Sequence, residues 1–290
     1  MSELPSGYAL VERTGERLAL RRDCADELAR AGYALGRDPP LAPSSLAGRK
    51  PLFEFEVPSG TLLVRRFSHG GLLRVLTGAR FLERERPFEE LCVAAELVRR
   101  GIRTPEVVAA RARRAVGAGW RLELVTRRVE NALDLEAVLE QARGGALERH
   151  ALRGIVRSTG SFVRALHEAG LWHADLTTKN MLVERAALER AEPCLWILDL
   201  DRARIEVVLS ESQCLANLRR LLRFVARREG QRSRALTRSD FARFLAGYEP
   251  ERTRRHALAK TIAAEHERRS GWHRLGWGLE RLFGGTDPAR

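Results

Sequence analysis

The chain has 290 residues, 51 basic and 38 acidic side chains, and a formal charge of +13 at pH 7. That length suits one large or two small domains and buries a core without disulfide staples. A hydrophobic content of 44% excludes a disordered chain, and 18 aromatic residues are too few for a stacking platform on single-stranded nucleic acid. Three of the basic residues are lysines (Lys50, Lys179 and Lys260) and the other 48 are arginines. Arginine pairs bidentately with phosphate and carboxylate, so the field suits a polyanionic partner: nucleic acid, an anionic membrane surface or a phosphorylated substrate. Cys24, Cys92, Cys194 and Cys214 form no CxxC pair, which argues for reduced thiols and against zinc. The segment Met1 to Gly7 has no signal pattern, and no run approaches 18 uncharged apolar residues. The expected location is therefore cytoplasmic.

In chain order, Leu52 to Val57 and Thr61 to Phe67 read as two strands joined by the turn Pro58-Ser59-Gly60, a hairpin. From Phe88 to Arg100 the period changes. Leu91, Ala94, Ala95, Leu97 and Val98 predict an apolar helical face that ends at Gly101. Glu106 to Ala110 and Gly119 to Val125 predict further strands. Leu135 to Ala142 predicts a short helix stopped by Gly144-Gly145. Leu147 to Ala169 predicts a long one with Ile155, Thr159, Phe162, Val163 and Leu166 along a stripe. Met181 to Val183 and Leu195 to Leu198 are short enough for strands, and the chain from Glu211 onward reads as helical and arginine-rich. This order predicts an α+β protein of two lobes with a cleft between them. The β-rich first lobe takes residues 1–126 and the mainly helical second lobe residues 127–290.

The chemistry concentrates in His173-Ala174-Asp175-Leu176-Thr177-Thr178-Lys179-Asn180, followed by Asp199-Leu200-Asp201 at the end of an apolar run. An Asp, an Asn five positions later and a strand-end Asp are what phosphoryl transfer to a hydroxyl requires. One carboxylate accepts the hydroxyl proton, and an amide oxygen with a second carboxylate holds Mg²⁺ against the phosphates. Protein kinase catalytic loops have the same five-residue offset. The bland alternative is a polar turn after a helix, with Asp199 and Asp201 as solvated strand-end charges. His173 reads as a group holding the loop from within, and Asp175 as the base. Asp201 either shares the metal with Asp199 or braces the loop.

With these residues in place the chain resembles the lipopolysaccharide core kinases, the Kdo kinase/WaaP family, relatives of the protein kinases. Leu63 to Leu72, Pro87 to Leu91, Gly101 to Pro105, Asp199 to Arg202 and Asn217 to Leu221 each resemble a segment of that family. The likeness runs from about Gly48 to about Arg228, and the last sixty residues carry no motif of it. It implies a protein-kinase-like fold, ATP and Mg²⁺ as cofactors, and an acceptor sugar in the lipopolysaccharide inner core. That acceptor is expected to be Kdo (3-deoxy-D-manno-octulosonic acid) on lipid A. Two departures stand out. There is no G-x-G-x-x-G, so Gly48 in Gly48-Arg49-Lys50 is the nearest candidate for a phosphate-covering turn. The kinase strand lysine is replaced by Arg65, which the resemblance pairs with Glu90; a guanidinium bridges phosphate oxygens as an ammonium does. Lys179 is a candidate for reaching the transferred phosphoryl group. The segment Leu124 to Arg128 is the expected interlobe hinge, with Thr126 and Arg128 beside the adenine.

Toward the C-terminus, Trp272, Leu275, Trp277, Leu279, Leu282 and Phe283 are interspersed with Arg268, Arg269, Arg274 and Arg281. Such a mixture suits either an interfacial helix on anionic lipid or a helix packed on the second lobe. The first reading places the enzyme peripherally on the cytoplasmic face of the inner membrane. Two rival functions remain: a soluble phosphotransferase of the aminoglycoside or choline kinase type, and a catalytically dead kinase-like scaffold. Nucleic acid is not an expected partner, because charge alone speaks for it and no recognised motif does.

Overall fold

The computed structural model describes residues 3–46, 52–68, 80–188, 193–231 and 234–269. It divides into two compact units, residues 1–130 with 196–205 and residues 131–195 with 206–290.

The first unit is built on antiparallel strands. β1 (Tyr8–Arg13) and β2 (Glu16–Arg21) form a hairpin, β3 (Ala42–Pro43) and β4 (Leu52–Val57) follow, and then come β5 (Gly60–Arg66), β6 (Val107–Arg114) and β7 (Trp120–Arg127). Among the described residues they form one sheet of seven strands in the order β1-β2-β6-β7-β5-β4-β3. The expected hairpin is present in register, with Val57 opposite Gly60 and Leu52 opposite Arg65. One sheet face buries Leu18, Phe55, Leu62, Val64, Val108 and Val125 beneath Leu28 of α1 (Ala25–Arg30) and Tyr33, whose ring stacks on Phe55 at 5.9 Å. Each such side chain, fully buried, contributes roughly 1.5–3 kcal/mol relative to exposure.

Helix α2 (Arg86–Arg99) begins with Pro87 in its first turn, where the missing N–H costs nothing. It buries Phe88, Glu90, Leu91, Ala94 and Leu97. These positions recur every three or four residues, as a helix with one covered face requires. Val98, expected on that face, is 56% exposed, because it lies about 100° round the helix from Leu97.

The hairpin of β1 and β2 was not foreseen as such. Its turn is Thr14-Gly15, with Gly15 at φ 78°, where a side chain would be strained. It delivers Glu16 into the sheet beside Arg111, both almost fully buried. The Glu16 carboxylate accepts from Arg111 Nε at 2.6 Å and from the Gly36 N–H at 2.7 Å. Burial alone raises its pKa, but Arg111 and Arg113 outweigh that and hold it below the usual carboxylate value.

The second unit opens with β8 (Ala132–Asp134), α3 (Leu135–Arg143) and α4 (Arg149–Glu168). Asp134 caps α3 by accepting the Ala137 N–H at 2.7 Å. Ile155, Thr159, Val163 and Leu166 of α4 are buried as the stripe requires, and Phe162 is partly covered. Gly170, at φ 74°, turns the chain out of α4 into β9 (Leu171–Trp172). β10 (Met181–Glu184) pairs antiparallel with β8; next in the chain, β11 (Leu195–Ile197) leads into residues 196–205 of the first unit, which end with β12 (Arg204–Ile205). Then come α5 (Glu211–Gln231), α6 (Arg238–Tyr248) and α7 (Arg252–Arg269).

Helices α4 and α6 approach through two glycines. A methyl group at Gly160 would run into the Phe244 carbonyl, and one at Gly247 into the Arg157 carbonyl. The N-terminus of α6 is fixed by a capping box between Thr237 and Asp240, and buried Asp240 also pairs with Arg149 of α4.

Candidate active site

Arg65 lies opposite Leu124 in the strand register and so shares its sheet face. There its guanidinium pairs with Glu90 of α2 and donates to Asp199 Oδ1 at 2.7 Å. It also sits 4.5 Å from the centroid of the Phe67 ring. Its neighbour Arg66 is turned to the other side, where it donates to Glu123 at 3.0 Å. The strand alternation therefore assigns the two arginines different partners. Asp199 has φ 55°, a left-handed conformation uncommon outside glycine and asparagine, and strain of this kind concentrates at functional sites. Leu200 is buried between the two aspartates and anchors the turn, which closes with the Ala203 N–H on the Leu200 carbonyl at 2.9 Å. Asp201 takes a two-pronged contact from Arg86, with Nε to Oδ1 at 3.0 Å and Nη2 to Oδ2 at 2.5 Å.

Two guanidiniums thus face three carboxylates in the first unit. Burial, with the charges of Asp199 and Asp201, outweighs the opposing pull of Arg65 and raises the Glu90 carboxyl to about 7. Burial works against the charge of Arg65, but Glu90 and Asp199 overcome it and raise its pKa.

The loop after β9 belongs to the second unit and is tied down atom by atom. The buried His173 gives its backbone N–H to Asn217 Oδ1 at 3.2 Å and accepts Asn217 Nδ2 on its carbonyl at 2.8 Å. Its ring Nδ1 accepts the Asp175 N–H at 3.0 Å, which sets the loop's curvature from within. Leu176 is fully buried, so Asp175 beside it stays near the surface. Asn180 Nδ2 donates to the Asp175 carbonyl at 2.8 Å. Thr178 donates to Glu136 of α3 at 2.9 Å. From α5, Arg220 donates Nε to the Ala174 carbonyl at 3.0 Å and brings a terminal nitrogen within 3.5 Å of Asp175 Oδ1.

Each unit by itself offers an oxygen donor of the kind a hard cation takes. Asn180 has its amide nitrogen engaged, which leaves the amide oxygen as its acceptor, and Asp199 has committed one carboxylate oxygen to Arg65. Mg²⁺ takes oxygen ligands of this kind. Among the described residues no group of three or more His, Cys, Asp or Glu side chains forms a ready metal cage.

Of the residues singled out in the sequence, Arg65, Glu90, Asp199 and Asp201 cluster in the first unit, and Asp175 and Asn180 are joined in the second. Lys179 is exposed, and its charge stabilises the Asp134 carboxylate at the start of α3. Thr126 lies within β7 between Leu63 and Val107, and the Arg128 N–H donates to the Thr61 carbonyl at 3.0 Å. Gly48 and the Trp/Arg segment from Trp272 to Phe283 lie outside the described residues. Sequence reasoning missed Arg86, Asn217 and Arg220 as site residues. Arg86 was findable, since it stands four residues before Glu90 and so one helical turn from it.

A family model described as the lipopolysaccharide kinase (Kdo/WaaP) family matches residues 59–248, which include Arg65, Asp175, Asn180 and Asp199. A curated relative, the 3-deoxy-D-manno-octulosonic acid kinase of Xanthomonas euvesicatoria pv. vesicatoria (strain 85-10), is 29% identical over 211 residues, 71% of this chain and 78% of that protein. The protein of the same name from Actinobacillus succinogenes is 30% identical over 191 residues, 64% of this chain and 74% of that one. A solved structure described as WaaP in complex with acyl carrier protein aligns with a TM-score of 0.57 at 21% identity, covering 92% of this chain and 99% of that chain. At that identity the likeness is one of fold. The chain belongs to the lipopolysaccharide kinase (Kdo/WaaP) family.

Proposed function

We propose that this kinase transfers the γ-phosphoryl group of ATP to a hydroxyl of 3-deoxy-D-manno-octulosonic acid in the lipopolysaccharide inner core, carried on lipid A. The observation that carries the reading is the loop in which Asp175 and Asn180 are bonded to each other, in a chain of this family. In this reading the Asp175 carboxylate takes the hydroxyl proton as the sugar oxygen bonds to the γ-phosphorus. The bond from that phosphorus to the β–γ bridging oxygen breaks, and ADP leaves.

Asn180 and Asp199 are the assigned ligands of Mg²⁺, with Asp201 bracing the turn. The cation, when bound, offsets phosphate charge. Arg65, aligned by Glu90, bridges phosphate oxygens, and Lys179 steadies the transferred group. Thr126 and Arg128 flank the adenine.

The acceptor is an anionic glycolipid, and the net charge of +13 favours a peripheral seat on an anionic membrane face. No helix among the described residues is long and apolar enough to cross a membrane. Incubation with labelled ATP and a panel of Kdo-lipid A, heptosylated core, a peptide and an aminoglycoside tests the reading. Label on Kdo-lipid A alone is the expected result. Label on the aminoglycoside and none on the glycolipids would overturn it.

A further inference from the structure

Arg220 has no part in the chemistry above, yet it lies against the residue assigned as the base. Helix α5 presents two side chains, one turn apart, to the loop. Asn217 fills the buried side and clamps both backbone groups of His173. Arg220, three residues on, reaches the outer side. Its Nε is fixed on the Ala174 carbonyl at 3.0 Å, so the guanidinium plane is set by the backbone of the loop itself. A terminal nitrogen then lies 3.5 Å from Asp175 Oδ1, longer than a strong charge-assisted bond of about 2.8 Å. The side chain is 39% exposed and that of Asp175 43% exposed, so solvent reaches both. A guanidinium held in place, near a carboxylate without gripping it, and open to solvent has donors to offer an incoming anion.

We infer that Arg220 binds the carboxylate of the acceptor sugar acid and thereby makes the enzyme selective for an acidic sugar over a neutral one. The inference rests on the acceptor named under the proposed function. The distances permit one sugar to meet both groups. A hydroxyl bonded to Asp175 Oδ1 and a carboxylate bonded to Arg220 Nη1, 3.5 Å apart, are at most about 9 Å from each other, given hydrogen bonds of about 2.7–2.8 Å at each end. A pyranose bearing a carboxylate lies within that span. The anchoring through Nε also explains why arginine is needed. A lysine ammonium at position 220 has no planar fork with which to hold Ala174 and a carboxylate together.

The test uses the full-length enzyme, wild type and the variants Arg220→Gln and Arg220→Lys, with Kdo-lipid A and with the same acceptor methyl-esterified at the sugar carboxylate. Arg227→Ala, an exposed arginine two turns further along α5, controls for loss of a surface charge. The expected result is a rise of ten-fold or more in the acceptor KM for Arg220→Gln, with kcat and the KM for ATP little changed. The methyl ester should bind wild type about as poorly as the acid binds Arg220→Gln, with no further loss when both changes are combined. Arg220→Lys should fail to rescue. If the wild type phosphorylates Kdo-lipid A and Arg220→Gln lowers kcat equally on acid and ester at unchanged acceptor KM, Arg220 only positions Asp175, and the assignment is overturned. If the wild type labels a neutral acceptor and leaves Kdo-lipid A untouched, the proposed function falls and takes this assignment with it.

Discussion

Arg65 and Asp199, 134 residues apart in sequence, meet at 2.7 Å, and the same guanidinium holds Glu90. One planar cation thus ties a strand to both the helix and the aspartate turn of the first unit. A lysine in its place offers a single compact charge that cannot span both carboxylates. Arg65→Lys is expected to raise the KM for ATP about ten-fold, equivalent to about 1.4 kcal/mol. Steady-state kinetics at varied ATP check this, and an unchanged KM would remove Arg65 from nucleotide binding.

Asp175→Ala should abolish transfer and leave ATP affinity nearly intact, because a base acts on the acceptor. The rate is expected to fall by two or more orders of magnitude. Single-turnover transfer and nucleotide titration separate the two effects.

Asp199→Asn replaces a carboxylate with a neutral amide, a poorer ligand for a hard cation. The Mg²⁺ concentration for half-maximal activity should rise several-fold. If the metal dependence stays put and the equivalent change at Asp201 moves it, Asp201 is the ligand.

Gly160→Ala tests the helix crossing. The added methyl meets the Phe244 carbonyl, so the crossing must open and lose packing, at a cost of about 1–3 kcal/mol. A clear drop in the melting temperature is the expected readout. Alanine otherwise favours a helix interior over glycine by up to about 1 kcal/mol, so a stabilised variant would mean the helices are not in contact there.

His167 on α4 is buried, with Nδ1 2.9 Å from the Tyr248 hydroxyl, and burial lowers its pKa to about 4. An unfolded histidine titrates near 6.5, so in between the unfolded chain binds a proton that the folded one refuses. The stability is fully present above about pH 6.5 and is lost as the pH falls toward 4, by up to about 3 kcal/mol. Denaturant titrations across that window should show this slope, and His167→Gln should flatten it.

Much of this was legible in the sequence because local pattern and tertiary role agree. The 52–66 hairpin alternates and turns on Gly60, and the Asp175 to Asn180 spacing survives as a bonded pair. The parts missed are those where local pattern and tertiary role diverge. Gly160 within a helix reads as a weak point, yet it is where another helix comes closest. Glu16 reads as a surface charge in a turn, and it is buried because Arg111, 95 residues later, arrives with a compensating cation. Arg86 and Arg220 are two arginines among 48, and only their contacts with Asp201 and Asp175 distinguish them. Composition this rich in one cation hides individual roles.

The return of residues 196–205 to the first unit sets a timetable for synthesis. A ribosome adds about 5–20 residues per second, so Arg65 is made roughly 7–27 seconds before Asp199 exists to meet it. Through that interval the sheet and α2 stand outside the ribosome with a half-filled charge cluster, while the loop bearing Asp175 is still being made. The ion pairs of Arg65 with Asp199 and of Arg86 with Asp201 close only once the chain has passed Asp201.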